Sequence, residues 1–325
     1  MMSSKRAGLL DPAFLKKLER LRIHARRAFP GSTRGERRST RRGSSVEFSD
    51  FRKYEAGDDF RHVDWSIYAR LERLMLRQFV EEEDVRIDIL IDQSRSMRFG
   101  EPITKFDYAR RAAAALAFLG IGSLDRVGVA TFDSAMKSRI RALRGRGHLR
   151  SILSFLDCLS DDDVSKEKQE TVEANERAEG ESKNEDEQAA ETNLSAALRG
   201  YQKANLRQGI LFIISDFFSS DDYRQEIKML AHRGFDVNLI QVLAPEEMNP
   251  RLVGDLLLVD SETGQSREIT ASERVVAAYR EALNEFTSSL ESLCRTHGSG
   301  YTLVTTDIAF EELLLKNLIE SRMAE

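Results

Sequence analysis

From residue 85 onward, short runs of β-forming apolar residues alternate with longer amphipathic stretches, and this alternation constrains the fold more than any other feature of the chain. The runs 85–91 (VRIDILI), 126–132 (RVGVATF), 210–215 (ILFIIS) and 235–243 (FDVNLIQVL) read as buried strands. Between them, 105–121 carries an apolar stripe at Phe106, Ala109, Ala113, Leu116 and Ala117, and further helices are expected at 148–159, 193–205, 221–232 and 272–297. An edge strand is expected at 138–143, another strand at 301–305, and a last helix from Ala309. A small hairpin reads at 256–259 and 266–269, around the turn at 262–264. Strands apolar on both faces and separated by helices predict an α/β fold: a doubly wound, mostly parallel sheet with helices on both faces.

Three stretches depart from this pattern. Residues 11–29 open with Asp11-Pro12 and set Phe14, Leu18, Leu21 and Ile23 near one face, which predicts an amphipathic helix; 30–45 is an Arg, Gly and Ser linker. Residues 49–84 form an aromatic and acidic segment that ends in an extended run at 74–80. Residues 161–191 contain no aromatic residue and too few apolar ones to offset the entropy of ordering, which predicts a solvated, mostly disordered insertion. The organisation expected is therefore a basic region 1–48, a segment 49–84, and an α/β domain 85–325 interrupted at 161–191.

The net charge of −5 conceals a segregation. Residues 1–48 hold thirteen Lys/Arg against four Asp/Glu, and residues 161–191 hold thirteen Asp/Glu against four Lys/Arg. The two regions are therefore candidates for associating with each other. A basic arm also admits nucleic acid, an anionic membrane surface or an acidic protein as partner, but interleaved aromatics and a groove-reading module are missing from it. The apolar run 112–121 is too short to span a bilayer, so no transmembrane segment is expected. Two cysteines, Cys158 and Cys294, suit neither a disulfide framework nor a thiolate zinc site; both are expected in the core, in a cytoplasmic protein.

The first buried strand ends in ILIDQSRSM, delivering Asp92, Ser94 and Ser96 to its carboxyl end. Three chemistries fit that pattern: a helix-capping turn, a nucleophilic serine, or oxygen ligands for a hard cation. Ligands of open α/β sheets gather at this edge. The same edge should receive Asp216, directly after 210–215, and Asp221 or Asp222 beyond it, while Thr192 opens the helix TNLSAAL. Hydroxyls and carboxylates without His or Cys suit Mg²⁺, with Mn²⁺ or Ca²⁺ as alternatives.

Asp92, Ser94, Ser96, Thr192 and Asp216 together resemble the metal-ion-dependent adhesion site of von Willebrand factor A domains. In addition, EFSDFRKYEAGDDFRHVDWSIYAR, DRVGVATF, QVLAPEE, LVDSETG and SGYTLVTTD resemble the blocks of domain-of-unknown-function family 58, over about residues 40–310. The resemblance implies a von Willebrand factor A-like domain in which Ser94, Ser96 and Thr192 bind Mg²⁺ directly and the carboxylates act partly through water. It further implies a non-enzymatic recognition function, with an acidic side chain of a protein partner completing the metal shell and a MoxR-type AAA+ ATPase as associate.

Other readings are weaker on the residues. A serine hydrolase needs a placed base, yet none of the five histidines lies at a strand end and the G-x-S-x-G elbow is missing. GRGHLR at 145–150 lacks the lysine and spacing of a P-loop. A nucleic-acid-binding protein and a metal-assisted hydrolase stand as alternatives to the recognition module. The block GDDFRHVDW at 57–65 reads either as a partner-docking patch or second acidic site, or as a salt-bridged turn with Trp65 anchored in a small core.

Overall fold

The computed structural model describes residue 16 and residues 47–55, 58–80, 85–159, 193–204, 208–219, 221–250, 254–261 and 266–310. The expected N-terminal helix, the linker, the acidic insertion 161–191, Thr192 and nearly all of the last helix lie outside these residues. Backbone contacts divide the chain at residues 84 and 85 into two compact units.

The smaller unit contains an antiparallel pair, β1 (Glu47–Lys53) and β2 (Met75–Val80), joined through a 3-10 turn (Phe60–His62) and helix α1 (Trp65–Leu71). Asp64 caps α1 by accepting the N–H groups of Ser66 and Ile67. The block at 57–65 is salt-bridged, as one reading has it: Arg52 meets Asp58 at 2.7 Å and Arg61 meets Asp59 at 3.2 Å. Trp65, however, is 59% exposed and lies edge-on to Tyr68, so it anchors no core. As the first residue of α1 it faces solvent, whereas Val63 and Leu76 are the buried apolar residues among those described in this unit.

The larger unit is built on a six-stranded sheet of β3 (Arg86–Asp92), β4 (Arg126–Phe132), β5 (Met136–Leu143), β6 (Ile210–Ser215), β7 (Asp236–Leu243) and β10 (Gly300–Thr305), in the order β10-β7-β6-β3-β4-β5. All neighbours are parallel except β5, which turns back antiparallel on β4 at one edge. Helices α2 (Lys105–Gly122) and α3 (Arg146–Cys158) cover one face, packing Ala113, Ala117, Ile152 and Leu156 against Ile89, Ile91 and Val129. Helices α4 (Leu194–Ala204), α5 (Arg224–His232) and α7 (Glu273–Thr296) cover the other, where Leu198, Tyr201, Ile227 and Leu290 meet Leu90, Leu211 and Ile213. Adjacent residues of β3 and β6 thus feed opposite cores, as the side-chain alternation of a strand buried on both faces requires.

A short helix α6 (Pro245–Met248) follows β7, and the expected hairpin is β8 (Gly254–Val259) with β9 (Ser266–Ala271). The central strand β4 leaves no room for a side chain at Gly128: a Cβ there would lie 2.8 Å from Asp88 Oδ1 and 3.0 Å from the Ala142 nitrogen. Cys294 is buried, which pushes its thiol pKa up to about 11, but Cys158 is exposed rather than part of the core. It closes α3 two residues beyond buried Leu156, on the side turned away from the sheet.

Candidate metal centre

β3 and β6 are parallel neighbours with Ile91 opposite Ile214, so Asp92 and Ser215 emerge side by side at the carboxyl edge of the sheet. Ser215 Oγ donates to Asp92 Oδ2 at 2.5 Å, and the Ser94 N–H donates to Oδ1 at 2.9 Å. The second bond closes an Asx turn, the local structure by which an aspartate reverses the chain after a strand. It leads into a 3-10 turn (Ser96–Arg98) that brings Ser94 Oγ and Ser96 Oγ to 3.0 Å from each other.

Asp216 continues the same edge from β6. Its Oδ1 accepts the Phe218 N–H at 3.0 Å, and its carbonyl accepts Gln241 Nε2, which Tyr301 holds through a 2.6 Å bond to Gln241 Oε1. Phe217 between them is left-handed (φ 61°), a conformation costly for a residue with a bulky side chain. A 2.8 Å bond from its N–H to Ser215 Oγ and the burial of its ring beside Tyr223 hold it there. Ser215 therefore fixes both halves of the edge, donating to Asp92 and accepting from Phe217.

The second oxygen of Asp216 is engaged by a residue that sequence reasoning missed. Lys105, 0% exposed at the first position of α2, donates to Asp216 Oδ2 at 2.7 Å and to Glu247 Oε1 at 2.6 Å. Glu247 is itself held in α6 by the Ala244 N–H at 2.7 Å. A cation at a helix N-terminus opposes the macrodipole, and that misfit is the signal in the sequence that Lys105 serves something other than the helix. Burial alone would lower its pKa; the charges of Asp216 and Glu247 outweigh burial and hold the ammonium above its ordinary value. Burial also raises the Glu247 pKa against the pull of Lys105.

Asp92 has the most perturbed carboxyl of the group. Burial first, and the neighbouring Asp216 charge second, push its pKa up to about 7, despite hydrogen bonds from Ser215 and Ser94 that favour the charged form. Lys105 offsets the charges of Asp216 and Glu247, while Asp92 faces the Asp216 charge, so a further cation would favour ionisation of Asp92.

Among the described residues no group of three His, Cys, Asp or Glu side chains gathers to hold a metal, so a metal at this edge would rest on hydroxyls. The donors fit one. Ser94 and Ser96 oxygens 3.0 Å apart match adjacent corners of a Mg²⁺ octahedron, which bonds of about 2.1 Å separate by about 3 Å. Both oxygens of Asp92 and both of Asp216 already accept donors, which leaves these carboxylates suited to hold a metal through water. Thr192 lies outside the described residues. Its chain neighbour Asn193 caps α4 through a 2.7 Å bond to the Ala196 N–H, and Asp221 accepts the Ser195 N–H and the Ser219 hydroxyl. Asp221 is thus tied to the α4 N-terminus, and Asp222 is exposed. Two aromatic rings flank the Lys105 ammonium, Phe218 at 5.4 Å and Phe99 at 6.0 Å, and both are substantially exposed, at 40% and 49%.

The fold and this edge define an α/β protein with a mostly parallel central sheet and an oxygen-rich cluster at its strand ends. The chain belongs to the family described as Protein of unknown function DUF58, whose model matches residues 50–288. It is similar to Uncharacterized protein Rv1480 of Mycobacterium tuberculosis (strain ATCC 25618 / H37Rv) and Uncharacterized protein Mb1516 of Mycobacterium bovis, each 26% identical over 269 residues, covering 82% of this chain and 77% of the relative. Among solved structures it is similar to BatB from Bacteroides thetaiotaomicron, at 15% identity and a TM-score of 0.41 over 74% of this chain and 100% of that one. An aerotolerance-related membrane protein from Bacteroides fragilis matches at 14% identity and a TM-score of 0.40, over 73% and 99%. In this chain, no helix among the described residues is long and apolar enough to cross a membrane.

Proposed function

We propose that this protein is a von Willebrand factor A-like, metal-dependent recognition module that binds an acidic group of a protein partner rather than turning over a substrate. The observation that carries the reading is the junction of Asp92, Ser94 and Ser96 with Asp216 at one strand edge, through Ser215. The sheet order, with a single antiparallel edge strand, supports the fold assignment. In this reading Ser94, Ser96 and Thr192 hold Mg²⁺, with Asp92 and Asp216 in its outer sphere. The bound ion supplies an electrophilic position for a carboxylate of the partner, because Mg²⁺ retains exchangeable positions. This chain's own residues do the rest: Ser215 orients Asp92, Lys105 holds Asp216 away from direct ligation, and the exposed Phe99 and Phe218 offer apolar contact around a charged centre, the composition typical of binding hot spots.

A MoxR-type AAA+ ATPase is the partner class proposed, in a chaperone-like cytoplasmic role. The test is capture of such an ATPase on the immobilised protein, wild type and Asp92→Ala, each in Mg²⁺ and in EDTA. Capture in Mg²⁺ that is lost with EDTA and with Asp92→Ala is expected. Capture indifferent to both contradicts the proposal.

A further inference from the structure

β5 is the outermost strand of the sheet, so one edge of its backbone has no strand partner among the described residues. From β5 into the first turns of α3, positions 137–150 carry Lys137, Arg139, Arg141, Arg144, Arg146 and Arg150, all exposed, and no Asp or Glu. Lys137 reaches Asp133 at 3.2 Å, whereas Arg139, Arg141, Arg146 and Arg150 have no carboxylate partner among the described residues. Arg139 and Arg141 also line a cavity of about 240 Å³ between β3, β4, β5 and α4. Its one carboxylate, Asp88, is already engaged by Arg86 Nε and by the Tyr201 hydroxyl, each at 2.6 Å, so the cavity keeps a positive lining.

Connectivity and charge single out one candidate occupant for this edge. α3 packs into the core on one face of the sheet and α4 into the core on the other. Both helices contact β5, and residues 159–193 join the end of α3 on one face to the start of α4 on the other. That connection contains the segment 161–191, with thirteen Asp/Glu against four Lys/Arg. We propose that the basic edge of β5, with the cavity beneath it, is a docking surface for the acidic segment 161–191 of the same chain.

Length permits the contact. Eight residues make β5 about 27 Å long, while a segment of 31 residues reaches up to about 100 Å, enough to run down the strand and return. Tethering at both ends gives the segment a high effective concentration at the edge. The contact is between exposed charges, so salt must weaken it as the Debye length contracts from about 10 Å at 0.1 M to about 3 Å at 1 M. The inference does not depend on metal binding at the strand-end site.

The test is cleavage of the full chain by a glutamate-specific protease within 161–191, at 20 mM and at roughly 500 mM NaCl, a pair of conditions chosen to span that change in screening. Each rate is normalised to that of a free peptide of the same sequence. In wild type, cleavage at low salt is expected to be about tenfold slower than the peptide and to approach it at high salt. The variant Arg139→Glu/Arg141→Glu/Arg146→Glu should cleave like the peptide at both salts, with thermal unfolding confirming that it folds. The milder Arg139→Gln/Arg141→Gln variant should lose at least threefold of the protection. Wild type that cleaves like the peptide at low salt, or variants that stay protected, overturn the proposal. So does protection that is lost only on removing residues 1–46, which would assign the acidic segment to the N-terminal arm.

Discussion

Lys105 and Asp216 lie 111 positions apart in sequence and meet at 2.7 Å with both side chains buried. Glu247 shares the ammonium from 142 positions away, so α2, the end of β6 and α6 converge on one charge. Removing the ammonium would leave two carboxyls unpaired in a buried setting. Lys105→Met is expected to cost about 3–5 kcal/mol in urea unfolding, and adding Glu247→Gln should restore part of it. A Lys105→Met protein as stable as wild type would contradict this arrangement.

The Asp92 carboxyl sets a pH dependence. Its folded pKa of about 7 lies above the ordinary 3.8, so between these values the folded state holds a proton that the unfolded chain has lost. The stability contributed by this group is fully present below about pH 4 and is lost as pH rises through 7. Asp92→Asn should flatten that slope in EDTA, as read by urea unfolding at pH 5 and pH 8. A divalent cation favours the ionised carboxylate, so Mg²⁺ should stabilise wild type more at pH 8 than at pH 5. Equal slopes for wild type and Asp92→Asn would count against a raised Asp92 pKa.

Ser215 makes two bonds at once, to Asp92 and from the left-handed Phe217. Ser215→Ala leaves one buried acceptor and one buried donor short of a partner, at a cost of about 1–3 kcal/mol. Titration with Mn²⁺ should also show weaker binding, because Asp92 loses the bond that orients it. Unchanged stability and unchanged binding would mean that Ser215 is a bystander.

Much of this architecture was legible in the sequence, for a physical reason. Strands buried on both faces must be nearly continuous apolar runs, and 126–132 and 210–215 became β4 and β6 with the same bounds. The edge strand β5 was also legible, though it begins two residues earlier, at Met136. The strand β1 was not: EFSDFRK mixes charges into its run, shifts register between Phe48 and Asp50, and pairs Lys53 with Met75 and Glu47 with Val80, well outside any local pattern. The strand-end residues Asp92, Ser94 and Asp216 could be read because a strand fixes where its last residue goes. The misplaced cation at the start of α2 could mark Lys105 as unusual, but its pairing with Asp216 and Glu247 could not be read, since nothing local marks an ion pair between distant elements. Trp65 misled because aromatic size suggests burial, while its place at the start of a capped helix leaves it in solvent.

Gly128 tests the packing of the sheet itself. A methyl group there would press on Asp88 Oδ1 and on the backbone of β5. Gly128→Ala should therefore destabilise the protein by about 1–3 kcal/mol, measured by thermal or urea unfolding. A neutral result would mean that β4 and β5 separate more readily than their hydrogen-bonded register implies.

In the proposed reading, the serine hydroxyls at the end of β3 hold a divalent ion. Electron paramagnetic resonance of Mn²⁺ titrated into wild type and into Ser94→Ala/Ser96→Ala tests it most directly. A single bound Mn²⁺ in wild type, displaced by excess Mg²⁺, and at least tenfold weaker binding in the folded double variant are expected. No bound Mn²⁺ in wild type, or equal binding by the two proteins, would contradict it.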